Sequence, residues 1–184
     1  MNLEKTDFEG LYIAKPEIIE DNRGSFAKLY NLEDLKSINA DINFVEQNVS
    51  VSRSNVIRGL HFQWNPPLGK LIRAITGKVF AVAADLRKKS PTFGKWFSIE
   101  LNGVTKIALY SPAGFAFGFC VIDGPAEIQY LYTSHFNPNG ESGIIWNDPT
   151  LNIDWPIQNP ILSDKDTKAK TFKEWLERPE SDLF

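Results

Sequence analysis

Short stretches rich in Val, Ile, Phe and Tyr recur along this chain, and turn signals break them at regular intervals. "INFVEQNVSV", "KLIRAIT", "KVFAVAADL", "WFSIEL", "KIALYS" and "AEIQYLYT" are separated by "NPPLG", "TG", "KKSPTFG", "NG", "SPAG" and "DGP". Many short strands with Gly/Pro turns predict an all-β sandwich or barrel. "TGK" (76–78) and "NGV" (102–104) read as tight hairpin turns. Helix is sparse. "NLEDLKSI" (31–38) is one candidate, with Asn31 as N-cap. A second begins at "SDKD", where Ser163 can cap and Asp166 can reach back as the capping-box acid. "KTFKEWLER" either continues that helix or forms its own. With 184 residues and no repeat, low-complexity tract or linker, the chain reads as one domain spanning 1–184.

Charge and apolar runs narrow the function. The net charge of −3, without a dense Lys/Arg run, excludes the electrostatic footprint of a nucleic-acid binder. The longest apolar run, "AGFAFGFCVI" (113–122), is too short to span a bilayer. The start, "MNLEKTDFEG", lacks the apolar core of a signal peptide. Cys120 is the only cysteine and lies inside the apolar run, so it is expected to be a buried, inert thiol. These features predict a cytoplasmic protein that partners neither membrane nor nucleic acid.

One of only two histidines stands in "IRGLHFQ" (57–63). Strict alternation puts Leu60 and Phe62 on one face and Gly59, His61 and Gln63 on the other. Alternation also puts Arg58 on the face opposite His61, so only a bulge or a strand end could bring the two to one face. Many-stranded β barrels of this size include the cupins, whose metal sites take several histidines and a carboxylate. Here the first region offers only His61, and "PAGFAFGF" (112–119) contains no histidine. One nitrogen ligand without a thiolate does not make a transition-metal site, so neither metal nor other cofactor is expected. Acid–base chemistry remains, because an imidazole titrates near neutral pH and works best with a carboxylate to fix its tautomer.

"NVIRGLHFQ", "GKLIRAITGKVFAVAADLRKKSPTFGKW", "SPAGFAFGF" and "GIIWNDPTLNIDWP…PILSDKD" together resemble the dTDP-4-dehydrorhamnose 3,5-epimerase family. The likeness runs from "DNRGSF" (21–26) to "LSDKD" (162–166), and its motifs stand in a specific order. The resemblance implies a metal-independent cupin jelly roll, a homodimer, and epimerisation of a nucleotide-linked 4-keto sugar. It implies that His61 is the general base, that Asp166 pairs with it, that Tyr130 is the acid across the sugar ring, and that Lys70 lies near the 4-keto oxygen. Arg23 and Arg58 match arginines that hold the nucleotide and its pyrophosphate. Phe26, Lys28, Glu46, Asn48 and Phe117 fall on further substrate-binding positions, and His135 falls at the rim.

Residue pattern alone leaves plainer roles open. Asp166 could be a first-turn helix acid. Tyr130 and Tyr132 could be core aromatics, and Lys70 and Arg58 surface charges. Three positions also depart from the family. Phe117 replaces the histidine of "GFAHGF", Lys28 stands where glutamate is usual, and Glu46 occupies a glutamine position. Glu46 and Lys28 bear on the nucleotide, leaving GDP or CDP beside dTDP, and a heptose beside a hexose. Phe117 bears on the chemistry: inversion at only C3 or only C5 is the alternative to both. A non-catalytic cupin that binds a sugar nucleotide is a third reading.

Overall fold

The computed structural model describes residues 1–36, 38 and 42–184. Strand β1 (Asn2–Lys5) pairs antiparallel with β2 (Tyr12–Lys15), while β3 (Ile18–Asp21) and β4 (Gly24–Ala27) form a separate two-stranded hairpin. Helix α1 (Leu32–Lys36) follows, with the Asn31 side chain accepting from the Glu33 N–H as the expected cap. Ser37, in the predicted helix 31–38, lies outside the described residues. Next come β5 (Glu46–Ser52), β6 (Ile57–Gln63), β7 (Lys70–Asp85), β8 (Trp96–Asn102), β9 (Ala108–Ser111), β10 (Phe115–Tyr132) and β11 (Glu141–Gly143). Helices α2 (Asp164–Thr167) and α3 (Phe172–Leu176) and a 3-10 turn (Pro179–Leu183) close the chain. The all-β jelly-roll expectation holds. The main sheet runs from β1 to β11 and is folded over without closing.

Two of the predicted turns are not turns. "KLIRAIT" and "KVFAVAADL" are one strand of 16 residues, and "FAFGFCVI" and "AEIQYLY" are one strand of 18. The "TGK" hairpin is therefore corrected to a corner within β7, and "DGP" to a corner within β10. The register between the two strands slips there, between Val121 and Ile128. Gly77 takes φ +71, and a Cβ on it would lie 2.7 Å from the Ala126 Cα and the Pro125 carbonyl oxygen. Only glycine fits that approach. "NGV" is a turn, with the Asn102 side chain accepting from the Val104 and Thr105 N–H groups. It is not a hairpin, because β8 and β9 both pair with β7, end to end, and not with each other.

The corners matter because each inserted residue flips the alternation. Before Gly77 the inward residues are even-numbered, Ile72 and Ala74; after it they are odd, Val79, Ala81 and Ala83. In β10 the inward set passes likewise from Phe115, Phe117, Phe119 and Val121 to Ala126 and Ile128, with Tyr130 packed beside them. Each long strand thus serves two leaves, and these residues fill the space between them. Outward residues of one leaf (Val82, Ala84, Ala116, Cys120) pack beneath Trp155, Phe172 and Trp175 of the C-terminal segment. Those of the other leaf (Leu71, Ala108, Tyr110) pack beneath Leu35 of α1 and Ile42. Cys120 is buried as expected, and burial pushes its thiol up to about 11.

Candidate active site

Between the leaves, at one end, lies a cavity of about 240 Å³ lined by Asn48, Ser50, Arg58, His61, Lys70, Phe117, Phe119, Tyr130, Tyr132 and Glu141, with Val49 at its edge. Strand β6 delivers two of these through a bulge at Gly59. Phe117 pairs with His61 and Phe119 with Arg58, so two residues of β10 span three steps of β6. The extra residue turns Arg58 to the face of His61, in place of the Gly59 that strict alternation put there. Gly59 has φ +119, and a Cβ on it would lie 2.5 Å from the Gly118 Cα, so no side chain can take its place. Leu60 and Phe62, on the other face, are buried in the outer core.

The base and its carboxylate meet. His61 Nε2 lies 2.6 Å from Asp166 Oδ1. Asp166 is 2% exposed. Burial opposes its ionisation, but the hydrogen bond and charge of His61, the Ser163 hydroxyl and the charge of Lys165 hold the carboxyl below its ordinary value. An ionised carboxylate can only accept, so Nε2 carries the proton and the Nδ1 lone pair is left for chemistry. Ser163 caps α2 through the Asp166 N–H as expected. The reciprocal half of the capping box is corrected: the Asp166 carboxylate turns to His61 and to the Ser163 hydroxyl instead. The complete capping box belongs to the next helix, between Thr171 and Glu174, so "KTFKEWLER" forms a helix of its own.

Lys70 is no surface charge. It is 8% exposed, donates to the His61 carbonyl at 3.1 Å, and stands 5.8 Å from the centre of the Tyr132 ring. Burial lowers its ammonium to about 8, with Glu141 opposing and Lys165 assisting that fall. Tyr130 lies on the opposite leaf from His61, its hydroxyl 3.0 Å from the Ser50 hydroxyl. Burial raises its phenol, against the Ser50 hydrogen bond and the charge of Arg58, so it stays protonated. Arg58 is fixed by Nε–H to the Ser52 hydroxyl at 2.8 Å and reaches the Val51 carbonyl.

Other predicted positions fall elsewhere. Arg23, at the tip of the β3–β4 hairpin, binds Asp21 at 2.6 Å, and Phe26 and Lys28 are exposed on or beside the same hairpin. None of the three lines the cavity of this chain. Glu46 accepts from the Asn48 side chain at 2.7 Å and from the Phe136 N–H at 3.0 Å, which hold its carboxyl below its ordinary value. His135 is exposed and does not line the cavity; its Nδ1 lies 3.7 Å from Glu46. Ser50, Tyr132, Phe119 and Glu141 complete the lining without having been picked out. Ser50 was legible by alternation from Asn48, and Tyr132 from Tyr130. Glu141 sits on a three-residue strand with no motif. Among the described residues no three His, Cys, Asp or Glu side chains cluster to hold a metal ion. None of the described helices is long and apolar enough to cross a membrane.

Comparison with known proteins gives the same picture over the whole chain. The family model described as dTDP-4-dehydrorhamnose 3,5-epimerase matches residues 5–174. The dTDP-4-dehydrorhamnose 3,5-epimerase of Shigella flexneri is 42% identical over 94% of this chain and 96% of its own. The dTDP-4-dehydrorhamnose 3-epimerase of Streptomyces niveus is 37% identical over 92% of this chain and 83% of its own. The crystal structure of dTDP-6-deoxy-D-glucose-3,5-epimerase from Legionella pneumophila, in complex with dTDP-4-keto-L-rhamnose, matches with a TM-score of 0.90 at 38% identity. That match covers 94% of this chain and 93% of the other. Likeness of this identity and extent, on a shared fold, establishes that the chain belongs to the dTDP-4-dehydrorhamnose 3,5-epimerase family.

Proposed function

We propose that the protein epimerises a dTDP-linked 4-keto-6-deoxy sugar by proton transfer through an enolate, with its own side chains as acid and base. The observation that carries this reading is the His61–Asp166 pair at 2.6 Å, opening on a cavity that also holds the Lys70 ammonium and the Tyr130 phenol. A ketone at C4 acidifies the hydrogens on C3 and C5. His61 Nδ1 removes one of them, and Asp166 stabilises the imidazolium that forms. The electron pair moves onto O4, where Lys70 supplies the counter-charge. Tyr130, facing His61 from the other leaf, returns a proton to the opposite face of the carbon and inverts it. Binding alone requires none of this acid–base set, so a non-catalytic role is the weaker reading.

The dTDP assignment rests on the relatives, whose names and bound ligand carry dTDP. The Glu46 carboxylate accepts from Asn48 on one oxygen and from the Phe136 N–H on the other, and each oxygen keeps a second lone pair. A cytoplasmic location belongs to the same reading, where the unpaired Cys120 stays reduced.

Phe117 favours a bias between the two carbons. A family histidine at this position can donate and accept beside His61, Lys70 and Tyr130, whereas a phenyl ring does neither. The second inversion needs the same base and acid to serve another carbon, so it is the step exposed to the loss. One missing hydrogen bond, about 0.5–1.5 kcal/mol, slows one of two steps by about two- to tenfold. In heavy water, NMR should find deuterium entering one of C3 and C5 about two- to tenfold faster than the other, and Phe117→His should narrow the gap. Equal labelling at both carbons in the wild type would leave Phe117 as core filler. Absence of labelling from any nucleotide 4-keto sugar would remove the proposed function itself.

The homodimer is part of the same proposal. The β3–β4 hairpin stands apart from the main sheet and carries Arg23 and Phe26, the latter 67% exposed, away from this chain's cavity. Val49 and Val51 on β5 and Ile19 on the hairpin are exposed as well. Exchange of hairpins would cover these apolar groups and bring Arg23 to a neighbour's site. Light scattering should give twice the chain mass at micromolar protein. A stable, fully active monomer would refute the exchange.

A further inference from the structure

Among the described residues, Glu141 is the one carboxylate lining the cavity. It opens β11, opposite Gln63, and two residues later Gly143 pairs with His61 itself. Its carboxylate is 15% exposed and is tied to Lys165, the residue before Asp166. The titratable and charged groups that share the cavity with Lys70 are His61 and Arg58 from β6, Tyr130 and Tyr132 from β10 and Glu141 from β11, and the charge of Lys165 from α2 also acts on it. Arg58 and Lys165 are cations and both phenols are held protonated, with burial driving both upward. Lys70 donates its hydrogen bond to a neutral carbonyl, that of His61. A buried ammonium surrounded in this way gives up its proton unless an anion stands nearby.

We propose that Glu141 is the counter-charge of Lys70, a positioning residue that works through the lysine to keep a cation facing the sugar, while Lys165 holds the carboxylate in place. The inference rests on the reading of Lys70 as the group that stabilises the enolate. It accounts for why Lys165 is needed: a free glutamate side chain could swing to solvent or pair with Arg58. It agrees with the balance at Lys70, where burial lowers the ammonium, Glu141 opposes and Lys165 adds to the fall. The two tied residues therefore act on Lys70 with opposite signs.

That opposition gives the test. In isotopically labelled full-length protein, the Lys70 Cε resonance, assigned by its loss in Lys70→Met, is titrated by NMR. The wild type should titrate near about 8. Glu141→Gln should lower the midpoint by about one pH unit or more. Lys165→Met should leave it unchanged or raise it. The alkaline limb of kcat for deuterium uptake should move with the midpoint in each variant, with little change in KM. An unchanged midpoint in Glu141→Gln overturns the proposal. A fall in both variants overturns it too, since the tie to α2 and not the charge would then be acting. If Glu141→Gln does not fold, Glu141→Ser, which also removes the charge, takes its place, and the same outcomes decide. The titration needs no turnover, so failure of the epimerase reading and failure of this one are separable.

Discussion

His61→Ala is expected to lower deuterium uptake next to the ketone by about 10²–10⁴-fold, the range that a positioned general base supplies. The fold should survive the change. Strand β6 is anchored by Leu60 and Phe62 on its outer face, while the His61 side chain is about a quarter exposed to the cavity, 26%. Asp166→Asn should lose less activity. An amide oxygen can still accept from Nε2–H and hold the ring, but it offers no charge to the imidazolium. The measurement is NMR in heavy water, with circular dichroism to establish folding. A folded His61→Ala protein that exchanges at the wild-type rate would exclude His61 as the base.

Lys70→Met is expected to separate activity from stability. Removing a preorganised donor from a developing oxyanion lowers kcat by about 10²–10³-fold. Methionine has nearly the same length and no charge to desolvate, so the melting temperature should hold or rise. Lys70 also has a pH signature. Its ammonium is lost as pH rises through about 8, so activity should decline there. Its effect on stability runs the other way: between about 8 and its ordinary 10.5 the unfolded chain holds a proton that the folded one has released. More protons on the unfolded state means that stability from this group grows with pH across that window. A fall in melting temperature of several degrees in Lys70→Met would mean that Lys70 is a structural partner.

Much of the fold was legible because turn residues and β-rich stretches alternate so regularly. The two misread turns share one cause. "TGK" and "DGP" look like hairpin turns because glycine and proline serve a corner within a strand as well as a reversal between strands, and local sequence does not distinguish the two. The β3–β4 hairpin was missed as an element of its own for lack of apolar content. For the site, the family resemblance brought forward His61, Asp166, Lys70, Tyr130 and Arg58, and alternation then required a bulge or strand end to put Arg58 on the face of His61. Glu141 was invisible. Its meaning depends on a buried lysine from β7 and a helix more than twenty residues away, which a linear reading does not bring together. Arg23, Phe26 and Lys28 lie on or beside the hairpin, away from the cavity, and their place in a site belongs to the proposed exchange of hairpins.

Asp166 rides on a helix of four residues, held by one serine cap, the Lys165–Glu141 tie and its own hold on His61. The flanking chain touches the sheet by single bridges, Val56 to Ile161 and Ile144 to Lys170. The long strands β7 and β10, by contrast, are hydrogen-bonded along almost their whole length. Phe172 and Trp175, beyond those bridges, are locked into the outer core, whereas the stretch 161–170 buries almost no apolar side chain. Local opening is therefore expected to be confined to that short stretch. Each opening would strip His61 of its carboxylate and leave the barrel standing, so activity is expected to fade on heating before the strands melt.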